Sequence, residues 1–186
     1  MKTRSETNRL VKECIATALI ELMKVRDYNS ITITDITKKA GVSRMAYYRN
    51  YSSKEDILNQ YMDELGNAIH EKVSKHITRE ELHDYYKSLF EQLGVHRDLG
   101  LTAHRAHLSE LILLHINKNM ALTFPPDSST PSARYRHFYM AGAFYNVLME
   151  WLKNGMQESS DQMARICCEM TCAGCDILEK ERGENQ

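Results

Sequence analysis

Apolar residues recur at steps of three and four along most of the chain, and this periodicity predicts an all-α fold of about nine helices. Ile15, Ala16, Ala18, Leu19 and Leu22 mark the first. The fourth, capped by Ser53, carries Ile57, Leu58, Tyr61, Leu65, Ile69 and Val73, and is long enough to join an N-terminal head to a body. The fifth is expected to open on a capping box of Thr78 and Glu81, to bear Leu82, Tyr85, Tyr86, Leu89, Phe90 and Leu93, and to end at Gly94. A short sixth near residues 97–103 and a seventh near 105–121 follow, then a loop around Pro125 and Pro126. The eighth runs from about Ser132 to Gly155 and the ninth from Ser160 to about Lys180, where Ser159 and Gln162 can form the capping box. Tyr135, Phe138, Tyr139, Gly142, Tyr145, Leu148, Met149 and Leu152 occupy more than one stripe of the eighth helix. A helix so widely apolar is expected to be covered on two sides, by its own body and by a second subunit, with Gly142 and Ala143 permitting close approach.

Residues 32–58 carry a sharper signal. The Thr32 hydroxyl can accept the backbone N–H of Asp35, whose carboxylate lies near the positive end of the helix dipole. That helix runs to Ala40. Gly41 supplies the positive φ that ends it, Val42 fills the corner, and Ser43 caps the next helix, about Arg44 to Asn50. Tyr47 and Tyr51, four apart, fall on the face that packs against Ile36, Ala40 and Val42. The opposite face offers Arg44, Met45, Ala46, Tyr48, Arg49 and Asn50. Two guanidiniums can fork onto guanine edges or phosphates, an amide suits adenine, a phenol can reach a phosphate oxygen, and Ala46 allows close approach. Lys54 adds a flanking cation. Two short helices about a glycine turn, the second charged for nucleic acid, predict a helix-turn-helix laid in a major groove.

The stretch resembles the DNA-binding domain of the TetR family of bacterial transcriptional regulators. Thr-Asp-Ile, Ala-Gly-Val-Ser, the tyrosine pair and Ser-Lys-Glu stand at the family's spacing, and the likeness covers residues 7–62. Thr37 stands where Ala is usual, Asn50 where His or Tyr is frequent, and Tyr51 where Phe is usual. The resemblance implies DNA contact at Thr34, Ser43, Arg44, Ala46, Tyr48, Arg49, Asn50 and Lys54, with Tyr47 and Tyr51 in the core. It divides the chain into a DNA-binding domain, residues 1–52, and a helical effector-binding and dimerisation domain, residues 53–186. Gly142, Asn146, Trp151 and Gly155 are similar to the body of a subgroup that includes regulators of dihydroxyacetone kinase operons. That likeness implies a homodimer through the last two helices of each subunit. The expected function is a dimeric repressor released from a palindromic double-stranded DNA operator by an effector. The effector is a small molecule or, in the alternative, a protein partner.

Charge agrees with a DNA-binding head. The whole chain is near neutral at −1, but residues 1–60 hold eleven Lys or Arg against seven acids and residues 61–186 thirteen against eighteen, so the head is basic and the body acidic. No apolar run reaches the roughly 20 residues of a membrane span, and the expected compartment is the cytoplasm. Five cysteines, four of them within nine residues, suit a reducing compartment. Cys168, Cys172 and Cys175 share one helical stripe, read first as packing and second as a thiol or soft-metal sensor. Cys14 is expected in the core. His104 and His107, three apart in a helical segment, are weak metal candidates, and no metal or cofactor is expected. No phosphate loop, Gly-x-Ser-x-Gly elbow or His-Glu-x-x-His occurs, which argues against an enzyme. Tyr85, Phe90, His104, Leu108, Tyr139 and Trp151 are the expected walls of an effector pocket.

Overall fold

The computed structural model describes residues 4–71, 81–124 and 131–183. Among them are nine α-helices and no strand: α1 Arg4–Met23, α2 Ile33–Ala40, α3 Arg44–Tyr48, α4 Lys54–Glu71, α5 Leu82–Val95, α6 Arg97–Arg105, α7 Ser109–Thr123, α8 Pro131–Lys153 and α9 Ser160–Gly183. A 3-10 turn, Tyr28–Ser30, precedes α2. No helix among the described residues is long and apolar enough to cross a membrane.

The chain packs into two units, and the first is not contiguous in sequence: Met1–Asn67 with Asp98–His115, against Ala68–Arg97 with Ile116–Gln186. In the first unit, Ile15 and Leu19 of α1, Ile31, Ile36 of α2, Tyr47 of α3, and Ile57 and Leu58 of α4 are fully buried. Polar ties hold the later segment into this unit. Lys24 Nζ lies 2.6 Å from Asp98, and Asp98 foremost, then Glu21, holds the ammonium above its ordinary pKa. Buried His115 of α7 meets Asn59 through Nε2 at 3.1 Å and Asp63 through Nδ1 at 3.3 Å, so one imidazole grips α4 at positions one turn apart.

The second unit is aromatic inside. Phe90 of α5 is fully buried, with Trp151 edge-on at 5.1 Å and Phe144 at 5.8 Å between ring centroids. Tyr86 stacks on Phe144 and Tyr85 stands edge-on to Phe124. The Trp151 indole N–H donates to the Glu158 carbonyl at 2.9 Å, which closes the turn after α8. Gly155, at φ +80°, takes the left-handed conformation that ends α8. The capping box of α9 is present in both directions: Ser159 N–H donates to Gln162 at 2.8 Å, and Gln162 N–H to Ser159 Oγ at 3.2 Å.

Six expectations are corrected. Helix α7 begins at Ser109 rather than near residue 105. Residues 106–108 close α6 instead, through Leu108 N–H to the Ala103 carbonyl and His107 in the left-handed region at φ +59°. No glycine or proline marks this turn. His104 and His107 therefore do not share a helix, and His104 Nδ1 bonds the Ser109 hydroxyl at 3.1 Å. Gly94 is the last residue but one of α5, which runs on to Val95 with His96 as its C-cap, so it does not terminate the helix. A Cβ there would come within 3.3 Å of the Trp151 ring, so the residue makes room for the indole. Glu81 forms no cap bond to α5, and Thr78 falls outside the described residues. Cys14 is exposed, beside Glu13 and Thr17 on the outer side of α1, because Ile15, Ala16, Ala18 and Leu19 take the inner one. Finally, α3 stops at Tyr48, with Arg49 as its C-cap.

Candidate nucleic-acid interface

Local chemistry builds the helix pair as read from the sequence. The Asp35 N–H donates to Thr32 Oγ1 at 3.1 Å and the Thr32 N–H to Asp35 Oδ2 at 2.9 Å. The Thr32 hydroxyl, then its N–H, then Arg26 draw the Asp35 carboxyl down to about 2. Gly41 at φ +67° ends α2, with Val42 N–H bonded back to the Thr37 carbonyl at 3.1 Å. Thr37, where Ala is usual, is buried, and its hydroxyl is satisfied by the Thr34 carbonyl at 3.2 Å. Ser43 Oγ accepts the Ala46 N–H at 3.1 Å and starts α3.

This geometry sorts the tyrosines. Tyr47 and Tyr51 are buried, and burial pushes the Tyr47 phenol up to about 12 and Tyr51 higher still. Tyr48, between them, stays exposed. The other candidate contacts fall into two groups. Thr34, Ser43, Arg44 and Arg49 are exposed, and the Arg44 guanidinium donates to the Thr34 hydroxyl, joining the start of α2 to the start of α3. Ala46 is half-buried. Asn50 and Lys54 are engaged internally. Asn50 Nδ2 donates to the Ala46 carbonyl at 2.9 Å and so caps the end of α3. Lys54 Nζ donates to the carbonyls of Tyr28 at 2.6 Å and Ile31 at 2.8 Å, and lies 4.5 Å from the centre of the Tyr28 ring. Partial desolvation lowers its pKa.

Two positioning residues escape a reading of the sequence. Arg26 bonds the Ser30 carbonyl at 3.0 Å and pairs with Asp35 at 3.3 Å, tying the 3-10 turn to the cap of α2. Gln60 receives Lys12 of α1 at 2.8 Å and donates to the Asn50 carbonyl at 3.2 Å and to Asp56 at 3.0 Å. It links α1, the end of α3 and α4. Its spacing to Asp56, one helical turn, was the available signal; its partners in α1 and after α3 were not.

The expected effector residues fall in both units. Tyr85, Phe90 and Trp151 lie in the aromatic core of the second unit, whereas Tyr139 is 75% exposed. His104 and Leu108 belong to the first unit. A shallow groove of about 400 Å³ is lined by Glu13, Cys14, Thr17, Ala18 and Glu21 of α1 with Lys39 and Ala40 of α2. Among the described residues no three His, Cys, Asp or Glu side chains are placed to hold a metal ion. Cys167 is buried and its thiol is pushed up to about 12. The side chains of Cys172 and Cys175 fall outside the described residues.

Comparison with known proteins agrees with this architecture. Residues 15–61 match the family model described as bacterial regulatory proteins, tetR family. Residues 80–172 match the model of a transcriptional regulator C-terminal region. The HTH-type transcriptional regulator AlkX of Mycobacterium tuberculosis is 27% identical over 85% of this chain and 73% of its own length. The uncharacterized HTH-type regulator YxbF of Bacillus subtilis is 26% identical over 82% of this chain, which spans only 42% of that protein. Among solved structures, the dihydroxyacetone kinase operon activator DhaS covers 90% of this chain and 97% of its own at TM-score 0.65 and 15% identity. A TetR regulator from Streptococcus agalactiae covers 90% and 96% at TM-score 0.65 and 18% identity; these two establish likeness of fold. The relatives are regulators of transcription, not enzymes. With a basic recognition helix standing on a capped turn and both halves matched, the chain belongs to the TetR family of bacterial transcriptional regulators.

Proposed function

We propose that the chain is a cytoplasmic, homodimeric repressor that binds a roughly palindromic operator and is released by an effector. The observation that carries the DNA reading is the partition within α3: Tyr47 is locked in the core while Arg44, Tyr48 and Arg49 face outward from a head with excess positive charge. Residues 1–52 would be the reading head. Thr34, Ser43, Arg44, Ala46, Tyr48 and Arg49 would meet the duplex directly, with Lys54 contributing through whatever its third N–H can reach. Asn50 would contribute by holding the end of α3.

Dimerisation through α8 and α9 is supported by apolar surface. Tyr135, Phe138 and Tyr139, neighbours at three- and four-residue spacing on α8, and Met170 of α9 are each more than half exposed, apolar surface that a second copy would cover. Pairing would set the two recognition helices about 34–36 Å apart, one turn of DNA. The effector would act by preferring a form in which α4 no longer holds that spacing. His115, gripping α4 at Asn59 and Asp63, is the contact through which α7 would move it. A protein effector is the second reading, which the exposed apolar side chains of Tyr135, Phe138 and Tyr139 would also suit.

Gel-shift titration of the purified protein against the DNA flanking its gene tests the proposal. The expected result is a sequence-preferring complex at moderate salt, with two chains per duplex, that weakens steeply as salt rises. Equal affinity for unrelated duplexes would overturn it.

A further inference from the structure

The outward face of α3 is not uniformly polar. Met45 is 69% exposed and Tyr48 58%, three residues apart and so neighbours on one helical face. Exposed Arg44 and Arg49 flank them. The Tyr48 ring stands edge-on to buried Tyr47, with centroids 5.3 Å apart and planes at 88°, so the core helps fix its direction. Asn50, the side chain whose chemistry best suits adenine, is turned back onto its own helix by the bond to the Ala46 carbonyl. What remains forward is two cations with apolar surface between them.

In the major groove, apolar surface on a protein has one matched partner among the base edges, the 5-methyl group of thymine. The flanking guanidiniums supply the attraction to phosphate or guanine that brings this surface into the groove. Building on the proposed operator binding, we infer that Met45, braced by Tyr48, reads a thymine methyl in each half-site, and that Asn50 shapes α3 without reading adenine. Met45 would then be a specificity-determining residue, distinct in kind from the hydrogen-bonding arginines.

The experiment starts from the duplex that the wild-type protein selects from a random-sequence pool, with each thymine replaced in turn by deoxyuridine, which lacks only the methyl. Loss of one buried methyl contact corresponds to roughly fourfold weaker binding. Wild type should show that loss at one position per half-site. Met45→Ala should bind the thymine and deoxyuridine duplexes equally, and Met45→Leu, which keeps the apolar contact, should still discriminate. Asn50→Ala should select the same bases as wild type. A wild-type protein insensitive to every replacement, or discrimination that survives in Met45→Ala, overturns the inference while leaving operator binding intact. Failure to select any preferred duplex brings down the operator reading itself.

Discussion

In the first unit the contacts that fix geometry are polar and directional: the Thr32–Asp35 box, Lys54 on two carbonyls, Gln60 between three elements, and His115 on α4. In the second they are rings: Phe90, Trp151, Phe144, Tyr86, Tyr85 and Phe124 packed at 5.1–6.3 Å between centroids. Ring packing contributes most of its free energy through buried area and tolerates small shifts. Hydrogen bonds contribute less each but confine donor and acceptor to a narrow range of distance and angle. A short helix that must meet base edges needs the second kind of constraint. A body that has to cohere, and in the proposed mechanism to move, is better served by the first.

The largest effect expected from this contrast lies in the body. Phe90→Ala removes a fully buried ring touching both Trp151 and Phe144, and should cost about 3–5 kcal/mol in stability. Urea denaturation followed by fluorescence reads this directly, since Trp151 is the sole tryptophan. A cost under about 1 kcal/mol would mean that the ring cluster is not what holds the second unit.

Within the head, the two cations Lys54 and Arg49 should separate in their effects. Lys54→Met loses two charge-assisted bonds to the Tyr28 and Ile31 carbonyls, and a drop of about 1.5 kcal/mol in stability is expected, near the low end for such bonds because the residue is only half-buried. Operator affinity should fall with it. Arg49→Ala, exposed at the end of α3, should leave the melting temperature within the range of an ordinary surface change and still weaken operator binding about tenfold. Thermal denaturation beside fluorescence anisotropy makes the distinction. Equal destabilisation by both changes would dissolve it.

The same contrast explains what could be read from the chain. Caps are local: a hydroxyl, an amide three residues on and a glycine suffice, so the boundaries at Thr32, Gly41, Ser43 and Ser159 follow from neighbours in sequence. The inward direction of Tyr47 and Tyr51 follows from helical period alone. Long-range ties leave no such mark. Nothing near Lys54 announces that carbonyls 26 and 23 residues earlier will take its ammonium. Nothing near Gly94 announces Trp151, and the turn at residues 106–108 uses a left-handed histidine where glycine would have been the signal. In sequence Asn50 and Lys54 look outward-facing, because composition gives chemistry without direction, whereas both are bonded back onto the head.

The smallest effect concerns the cap that positions α2. Thr32→Ala should cost about 1 kcal/mol near neutral pH, the usual value of a lost threonine N-cap. Acid provides the sharper test. Asp35 titrates at about 2 in the folded head against an ordinary 3.8, chiefly because of the Thr32 hydroxyl. A carboxyl whose pKa is depressed by folding contributes stability that is fully present above the ordinary value and is lost as pH falls through the folded one. Wild-type stability should therefore decline between about pH 4 and pH 2, and the decline due to Asp35 should be shallower in Thr32→Ala, because its carboxyl starts nearer the unfolded value. Stability curves measured by urea denaturation across that range should converge on acidification. Curves that stay parallel would show that the Thr32–Asp35 pair does not set the acid sensitivity of the head, and would weaken the case that directional bonds give this unit its geometry.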